Sequence, residues 1–193
     1  MRIIAGSNRG MKLFSPEGWD SRPITDRVKE SLFNVLCKYN LPGDANVADL
    51  FCGVGSLGLE ALSRGAKFVG FVERDRRIAD VLRQNIAKAG FVEQSKVIIA
   101  DAFKASVPAG AEGEKTDLVF VDPPYADSAD VGVDSPLGRL LIRLSQELQK
   151  GSIVIVRSHE KTSLLNCYGG LETIERRRWG SMAVTIFSRR TDD

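Results

Sequence analysis

The tetrapeptide Asp122-Pro123-Pro124-Tyr125 is the most specific chemical signal in the sequence. Two successive prolines fix φ near about −65° and remove two backbone donors, so the chain leaves the preceding strand rigidly, with its carbonyls free to accept hydrogen bonds. Asp122 and the Pro123 carbonyl can then hold the two hydrogens of an amino group, and Tyr125 offers a face on which an extruded base can stack. An exocyclic amine is a poor nucleophile, because its lone pair is delocalised, so an enzyme helps it chiefly by positioning. The motif predicts group transfer to the exocyclic amine of a base.

A glycine pattern earlier in the chain predicts a nucleotide-like cofactor. Gly53, Gly55 and Gly58 satisfy G-x-G-x-x-G between a predicted strand and a predicted helix, and Glu73 follows 20 residues after Gly53. Glycines let a ligand approach the backbone closely, and an acid at the end of the next strand is placed to accept hydrogen bonds from ribose hydroxyls. A nicotinamide-dependent oxidoreductase shows the same two features, so this alternative stays open here.

Two further acids favour S-adenosylmethionine as the cofactor. Asp49 lies four residues before the first glycine, where a carboxylate would repel a pyrophosphate but attract the ammonium group of a methionine moiety. Asp101 follows the third predicted strand and can accept a hydrogen bond from an adenine amino group, with Ala102 beside it and Phe103 near enough to pack on the ring. Successive strand ends of an open α/β sheet would thus contact one extended ligand.

Alternating strand and helix patterns must position these residues. Short apolar runs predict strands over 45–52, 68–73, 96–100, 118–121 and 153–156, and helical spacing predicts helices over 26–39, 57–64 and 76–89. The segments 105–115 and 126–136 have the composition of loops. Such alternation predicts an α/β fold with a mostly parallel sheet and helices on both faces.

Both ends of the chain have hairpin patterns. Runs over 2–5 and 11–14 flank turn residues at 7–10, and runs over 171–179 and 182–189 flank Gly180-Ser181. The second hairpin predicts antiparallel strands at one end of the sheet.

Composition predicts a globular protein with one domain over residues 1–193, divided into an N-terminal hairpin and loop (1–22) and a catalytic core (23–193). The chain is 43% hydrophobic and 27% charged, and it lacks the apolar runs of a membrane span or signal peptide, so we expect a cytoplasmic protein. Its three cysteines fit neither a disulfide framework nor a metal cluster. The single histidine, His159, is expected on the surface after the fifth strand.

Four segments together resemble the RsmD family: 2–6, 22–27, 49–66 and 122–125. The family methylates N2 of guanine 966 in bacterial 16S ribosomal RNA. The resemblance implies a seven-stranded Rossmann-like sheet with an antiparallel last strand, and it places Arg22, Thr25 and Arg27 at the edge of the site. Cys52 and Val54 stand where the family often has smaller or more polar residues.

Cationic residues on both hairpins are candidate RNA contacts: Arg2, Arg9 and Lys12 on the first, and Arg176 and Arg178 with Trp179 on the last. Strand alternation puts Arg176 and Arg178 on one face. A net charge of +2 predicts modest affinity for bare RNA, which suits 16S ribosomal RNA presented within a small-subunit particle. A monomer is expected.

Three alternatives remain at this stage. An adenine-N6 methyltransferase acting on DNA or RNA would use the same tetrapeptide, since the motif holds either amine. An inert module that binds S-adenosylmethionine would need the tetrapeptide broken, and it is intact. A nicotinamide oxidoreductase would bind NAD in a calorimetric titration and ignore S-adenosylmethionine.

Overall fold

The computed structural model describes residues 1–16 and 24–190. Four helices and eight strands are formed within these ranges: β1 (Asn46–Leu50), β2 (Phe68–Glu73), β3 (Ser95–Ile99), β4 (Leu118–Val121), β5 (Ile153–His159), β6 (Cys167–Tyr168), β7 (Leu171–Trp179) and β8 (Met182–Arg189), with α1 (Asp26–Leu36), α2 (Ser56–Ser63), α3 (Arg76–Ala89) and α4 (Pro136–Glu147). A 3₁₀ turn, Cys37–Tyr39, extends α1 to the predicted end of that helix. In these ranges no helix combines the length and apolar character that a membrane crossing requires.

The strands form one mixed sheet in the order β3-β2-β1-β4-β5-β8-β7-β6. β1 to β5 run parallel, while β8 pairs antiparallel with both β5 and β7. The chain order reverses at β1 and β4, where Leu50 pairs with Val121. Open α/β sheets bind ligands at such a switch point, outside the carboxyl ends of the strands.

Two elements were missing from the prediction. The sheet has eight strands and not seven, because the two-residue strand β6 is added at its edge, and two residues are too few to form a periodic pattern. Helix α4 begins where the predicted loop 126–136 ends, with the Ser135 side chain accepting a hydrogen bond from the Gly138 backbone at its N-cap. Its apolar residues do recur at helical spacing: Leu137, Leu140, Leu141 and Leu144.

Apolar side chains on alternate strand positions cover both faces of the sheet. Phe71 and Phe120 pack with the apolar residues of α1, α2 and α3 on one face. Val119 and Val154 pack with the leucines of α4 on the other. This arrangement confirms the predicted three-layer α/β architecture and leaves the carboxyl ends of the strands open.

A buried ionic cluster attaches the N-terminal hairpin to α2. The hairpin is confirmed by an antiparallel bridge between Arg2 and Lys12. The Glu60 carboxylate, fully buried in α2, accepts hydrogen bonds from the Ile4 and Ala5 amides at 2.8 and 3.1 Å. The Nζ of Lys29, also buried, lies 3.1 Å from the same carboxylate. The hairpin is therefore fixed beside the helix that follows the glycine pattern.

Candidate active site

A cavity of about 480 Å³ opens at the carboxyl ends of the central strands. Four strand ends contribute an acid or the tetrapeptide to its wall: Asp49 from β1, Glu73 from β2, Asp101 after β3 and Asp122 after β4. Such a volume is usual for a site that holds a cofactor-sized ligand. The cavity thus brings together the predicted cofactor acids and the whole tetrapeptide Asp122–Tyr125.

The glycines of the loop act mainly by allowing close packing. Gly55, the residue before α2, has φ of 90°, and a Cβ there would lie 2.5 Å from Cδ1 of Leu82. A Cβ on Gly58 would lie 2.3 Å from the ring of Phe71. Gly53 lines the cavity, whereas Gly55 and Gly58 shape the turn and seat α2 against β2. Side chains at these positions would displace the helix from the sheet.

Glu73 connects the glycine loop to the next strand. Its Oε2 accepts a hydrogen bond from the Gly53 amide at 3.0 Å, and its Oε1 accepts one from the Asp75 amide at 2.8 Å. Each carboxylate oxygen has a second lone pair, so the group can still accept from two hydroxyls of a ligand. The Glu73 carboxylate therefore holds the glycine loop in place and also faces the cavity.

Asp49 is a buried carboxyl in the floor of the cavity. It is 1% exposed, and its Oδ2 accepts a hydrogen bond from the Gly58 amide at 2.8 Å. Burial raises the pKa of Asp49 to about 8, opposed by this hydrogen bond and reinforced by the negative charges of Asp122 and Glu73. At neutral pH the carboxyl is thus mainly protonated until a cation approaches.

The residues directly after β3 form another part of the cavity wall. Asp101 and Ala102 line it, and Oδ1 of Asp101 accepts a hydrogen bond from the Phe103 amide at 3.0 Å. Phe103 was predicted to pack on the adenine ring, but its ring lies against that of Phe51, with centroids 4.9 Å apart, and Phe51 is the one of these two that lines the cavity. Phe51 has φ of 63°, a strained value that residue type alone does not predict.

Asp122 faces a cation that sequence reasoning missed. The Nε of Arg157, on β5, lies 2.5 Å from Oδ1 of Asp122, and the two side chains are only 15% and 18% exposed. Burial raises the pKa of Asp122, whereas the positive charge of Arg157 opposes this increase. The sequence did contain one indication that Arg157 belongs to the site: it is a charged residue directly after the apolar run Ile153–Val156, where a strand end is predicted.

Tyr125 is supported by the single histidine. The rings of Tyr125 and His159 lie edge to face, with centroids 5.6 Å apart, and Nδ1 of His159 accepts a hydrogen bond from the Lys161 amide at 3.2 Å. The prediction that this histidine follows the fifth strand was wrong. β5 continues to His159, because the polar residues beyond Val156 pair with β8, and the ring is half-buried.

Of the predicted substrate residues near the N-terminus, the five that the structure describes do not line the cavity, and Arg22 falls outside the described residues. Thr25 precedes α1 and Arg27 lies in its first turn, both exposed. Arg2 donates a hydrogen bond to Asp26 at 2.7 Å. On the same hairpin, Arg9 and Lys12 are exposed, whereas the residues of this region that line the cavity are Met1 and Ile24.

The three candidate RNA contacts on the C-terminal hairpin differ in their surroundings. Arg176 and Arg178 are both exposed, as alternation predicted, but Nη2 of Arg176 donates to the carbonyls of Glu160 and Thr162 at 2.9 and 2.7 Å. Trp179 packs against the apolar residues of the α1 side, on the face of the strand opposite Arg178. Arg178 is therefore the most accessible of the three candidate RNA contacts on this hairpin.

Comparisons with known proteins give the family of the chain. A family model described as Conserved hypothetical protein 95 matches residues 1–188. The chain belongs to the RsmD family. YlbH of Bacillus subtilis (strain 168) is 31% identical over 192 residues, which cover 98% of this chain and 100% of that protein.

Two Escherichia coli proteins extend this RsmD comparison. Ribosomal RNA small subunit methyltransferase D of strain K12 is 42% identical over 127 residues, a match that spans 65% of this chain and 60% of that protein. The solved structure of yhhF is 31% identical, with a TM-score of 0.80 over 100% of this chain and 99% of that one. The predicted family and fold class are confirmed.

Proposed function

We propose that this RsmD-family chain is an S-adenosylmethionine-dependent methyltransferase that modifies the N2 amine of a guanine in 16S ribosomal RNA, guanine 966 by family likeness. One observation carries the proposal. The tetrapeptide Asp122–Tyr125 shares a cavity with acids at the ends of β1, β2 and β3, so an amine-holding motif faces a cofactor site. The relative named ribosomal RNA small subunit methyltransferase D supports the choice of RNA.

The hydrogen bonds of the loop favour S-adenosylmethionine over a dinucleotide. The amides of Gly53 and Gly58, which would cradle a pyrophosphate, already donate hydrogen bonds to the carboxyl groups of Glu73 and Asp49. These acids suit ribose hydroxyls and an ammonium group instead, and Asp101 suits an adenine amine. When bound, S-adenosylmethionine supplies an electrophilic methyl group.

The chain's own residues position the acceptor. In the proposed mechanism, Asp122 and the Pro123 carbonyl accept the two amine hydrogens and aim the nitrogen at the methyl group. The nitrogen becomes positive as the new bond forms and the methyl–sulfur bond breaks, and the Asp122 carboxylate stabilises this charge and accepts the proton that the nitrogen releases. Tyr125, held by His159, stacks on the extruded base. Direct transfer of this kind needs no separate nucleophile on the protein.

Further details of the substrate belong to the same proposal. A monomer that carries a net charge of +2 relies on RNA already folded in a small-subunit particle, since few phosphate contacts give modest affinity for bare RNA. Arg178 and the exposed cations Arg9 and Lys12 of the first hairpin supply these contacts.

Nucleoside mass spectrometry tests the proposed function. The 16S RNA fragment that contains guanine 966 should lose N2-methylguanosine in a strain that lacks the gene. Reintroduction of the parent chain, or of Arg139→Gln at an exposed position of α4, should restore it, and Asp122→Ala should not. Loss of N6-methyladenosine instead would assign the adenine alternative. An unchanged set of methylated nucleosides would refute both.

A further inference from the structure

The side chain of Arg157 approaches the reacting end of the cavity from the strand next to the tetrapeptide. Val121 of β4 pairs with Val156 of β5, so Asp122 and Arg157 are the next residues along two neighbouring parallel strands. Their separation of 2.5 Å and their low exposure describe a close ion pair at the cavity wall. Oδ1 of Asp122, the oxygen that faces Arg157, is buried, and the residue itself lines the cavity.

From this geometry we propose that Arg157 is a positioning residue: it binds one oxygen of Asp122, keeps the carboxylate ionised and leaves Oδ2 to accept from the target amine. This inference rests on the proposed function. An arginine suits the role, because the guanidinium stays charged throughout the physiological range and its planar donors fix the carboxylate in one orientation. A protonated Asp122 would instead present a donor to the amine.

Burial in an acidic cavity explains why Asp122 needs a cation. Asp49 faces it from β1, and other charged groups line the same cavity: Glu73, Arg74, Asp75, Asp101 and Asp127. Acids outnumber cations in this set, and Tyr125 with His159 adds two neutral rings. Burial raises the pKa of Asp122, and the charge of Arg157 lowers it. Without Arg157, proton binding to Asp122 would extend to higher pH.

A carboxylate titration measures this effect directly, without cofactor or RNA. The Cγ resonance of Asp122, assigned with Asp122→Asn in ¹³C-aspartate-labelled protein, should titrate at higher pH in Arg157→Gln by about one to three pH units. Arg157→Lys, which keeps the charge, should titrate close to the parent. Arg157→Met provides a second charge-removing variant should the glutamine variant not fold, and Arg139→Gln serves as a surface control. A parent-like titration of Asp122 in the folded charge-removing variants would overturn the inference.

Single-turnover methyl transfer adds a kinetic readout. In Arg157→Gln the acidic limb of the pH–rate profile should move to higher pH by the same interval, because the reactive form needs ionised Asp122. Along this acidic limb, the rate should fall about tenfold for each unit by which the pH is lowered. Arg157→Lys should restore the parent limb. A lower rate with an unmoved limb would indicate a merely structural pair. If the parent itself transfers no methyl group, the proposed function fails, while the titration still decides the role of Arg157.

Discussion

The buried carboxyl of Asp49 should link cofactor binding to proton release. With a pKa of about 8, roughly one Asp49 in ten is ionised at pH 7 in the free protein. The proposed ammonium partner attracts the ionised form. The apparent affinity for S-adenosylmethionine should therefore rise about tenfold between pH 6 and 7 and less steeply as the pH passes through 8. At pH 7 each binding event should release about nine tenths of a proton.

Calorimetry in two buffers of different ionisation enthalpy counts these protons. The observed enthalpy should depend on the buffer for the parent and for Glu93→Gln, which alters an exposed acid. Asp49→Asn keeps an acceptor for the Gly58 amide but has no titratable group, so its enthalpy should be independent of the buffer. Its weaker affinity should also stay constant from pH 6 to 8. Equal proton release by the parent and Asp49→Asn would refute the assignment of Asp49 to the ammonium group.

Three further predictions concern binding and stability. Glu73→Ala should weaken S-adenosylmethionine binding by about 2 kcal/mol, since it loses charged hydrogen bonds, and unchanged affinity by calorimetry would remove Glu73 from the cofactor site. Glu60→Gln should lower the free energy of unfolding in urea by about 3 kcal/mol, because the buried Lys29 loses its anionic partner. Adding Lys29→Met should recover part of that loss, and an unaltered urea midpoint for Glu60→Gln would contradict the reasoning. Arg178→Ala should reduce the salt dependence of RNA affinity by about one phosphate contact, whereas Arg176→Ala, which frees two carbonyls of a turn, should change it less.

Periodic patterns accounted for most of the fold. β2 and β4 have the predicted bounds, since short apolar runs between turn residues are typical of buried strands. α3 also matches, because Gly90 ends it in the left-handed conformation. The missing helix α4 had a regular leucine pattern, obscured by the polar loop before it. β6 could not be predicted, since pairing with β7 forms it and local sequence does not.

Within the site, the sequence identified residues that belong to a motif and missed those that act through spatial neighbours. Asp122 and Glu73 could be placed, because a strand end and a spacing define their positions. Arg157 lies 35 residues beyond Asp122, and its role depends on the adjacency of β4 and β5. The contact between Tyr125 and His159 also depends on the adjacency of these two strands, so the sequence did not reveal it. Phe51 takes a backbone conformation that its residue type does not indicate.

Single-turnover methyl transfer by Asp122→Ala tests the central claim most directly. The variant should bind S-adenosylmethionine with nearly the parent affinity, and calorimetry provides that control. Its methyl transfer to small-subunit RNA should be slower by about 10² to 10³, because the amine loses a preorganised anionic acceptor. Tyr125→Ala should differ by losing RNA affinity as well as rate. Transfer at the parent rate by Asp122→Ala would contradict the catalytic role of the tetrapeptide.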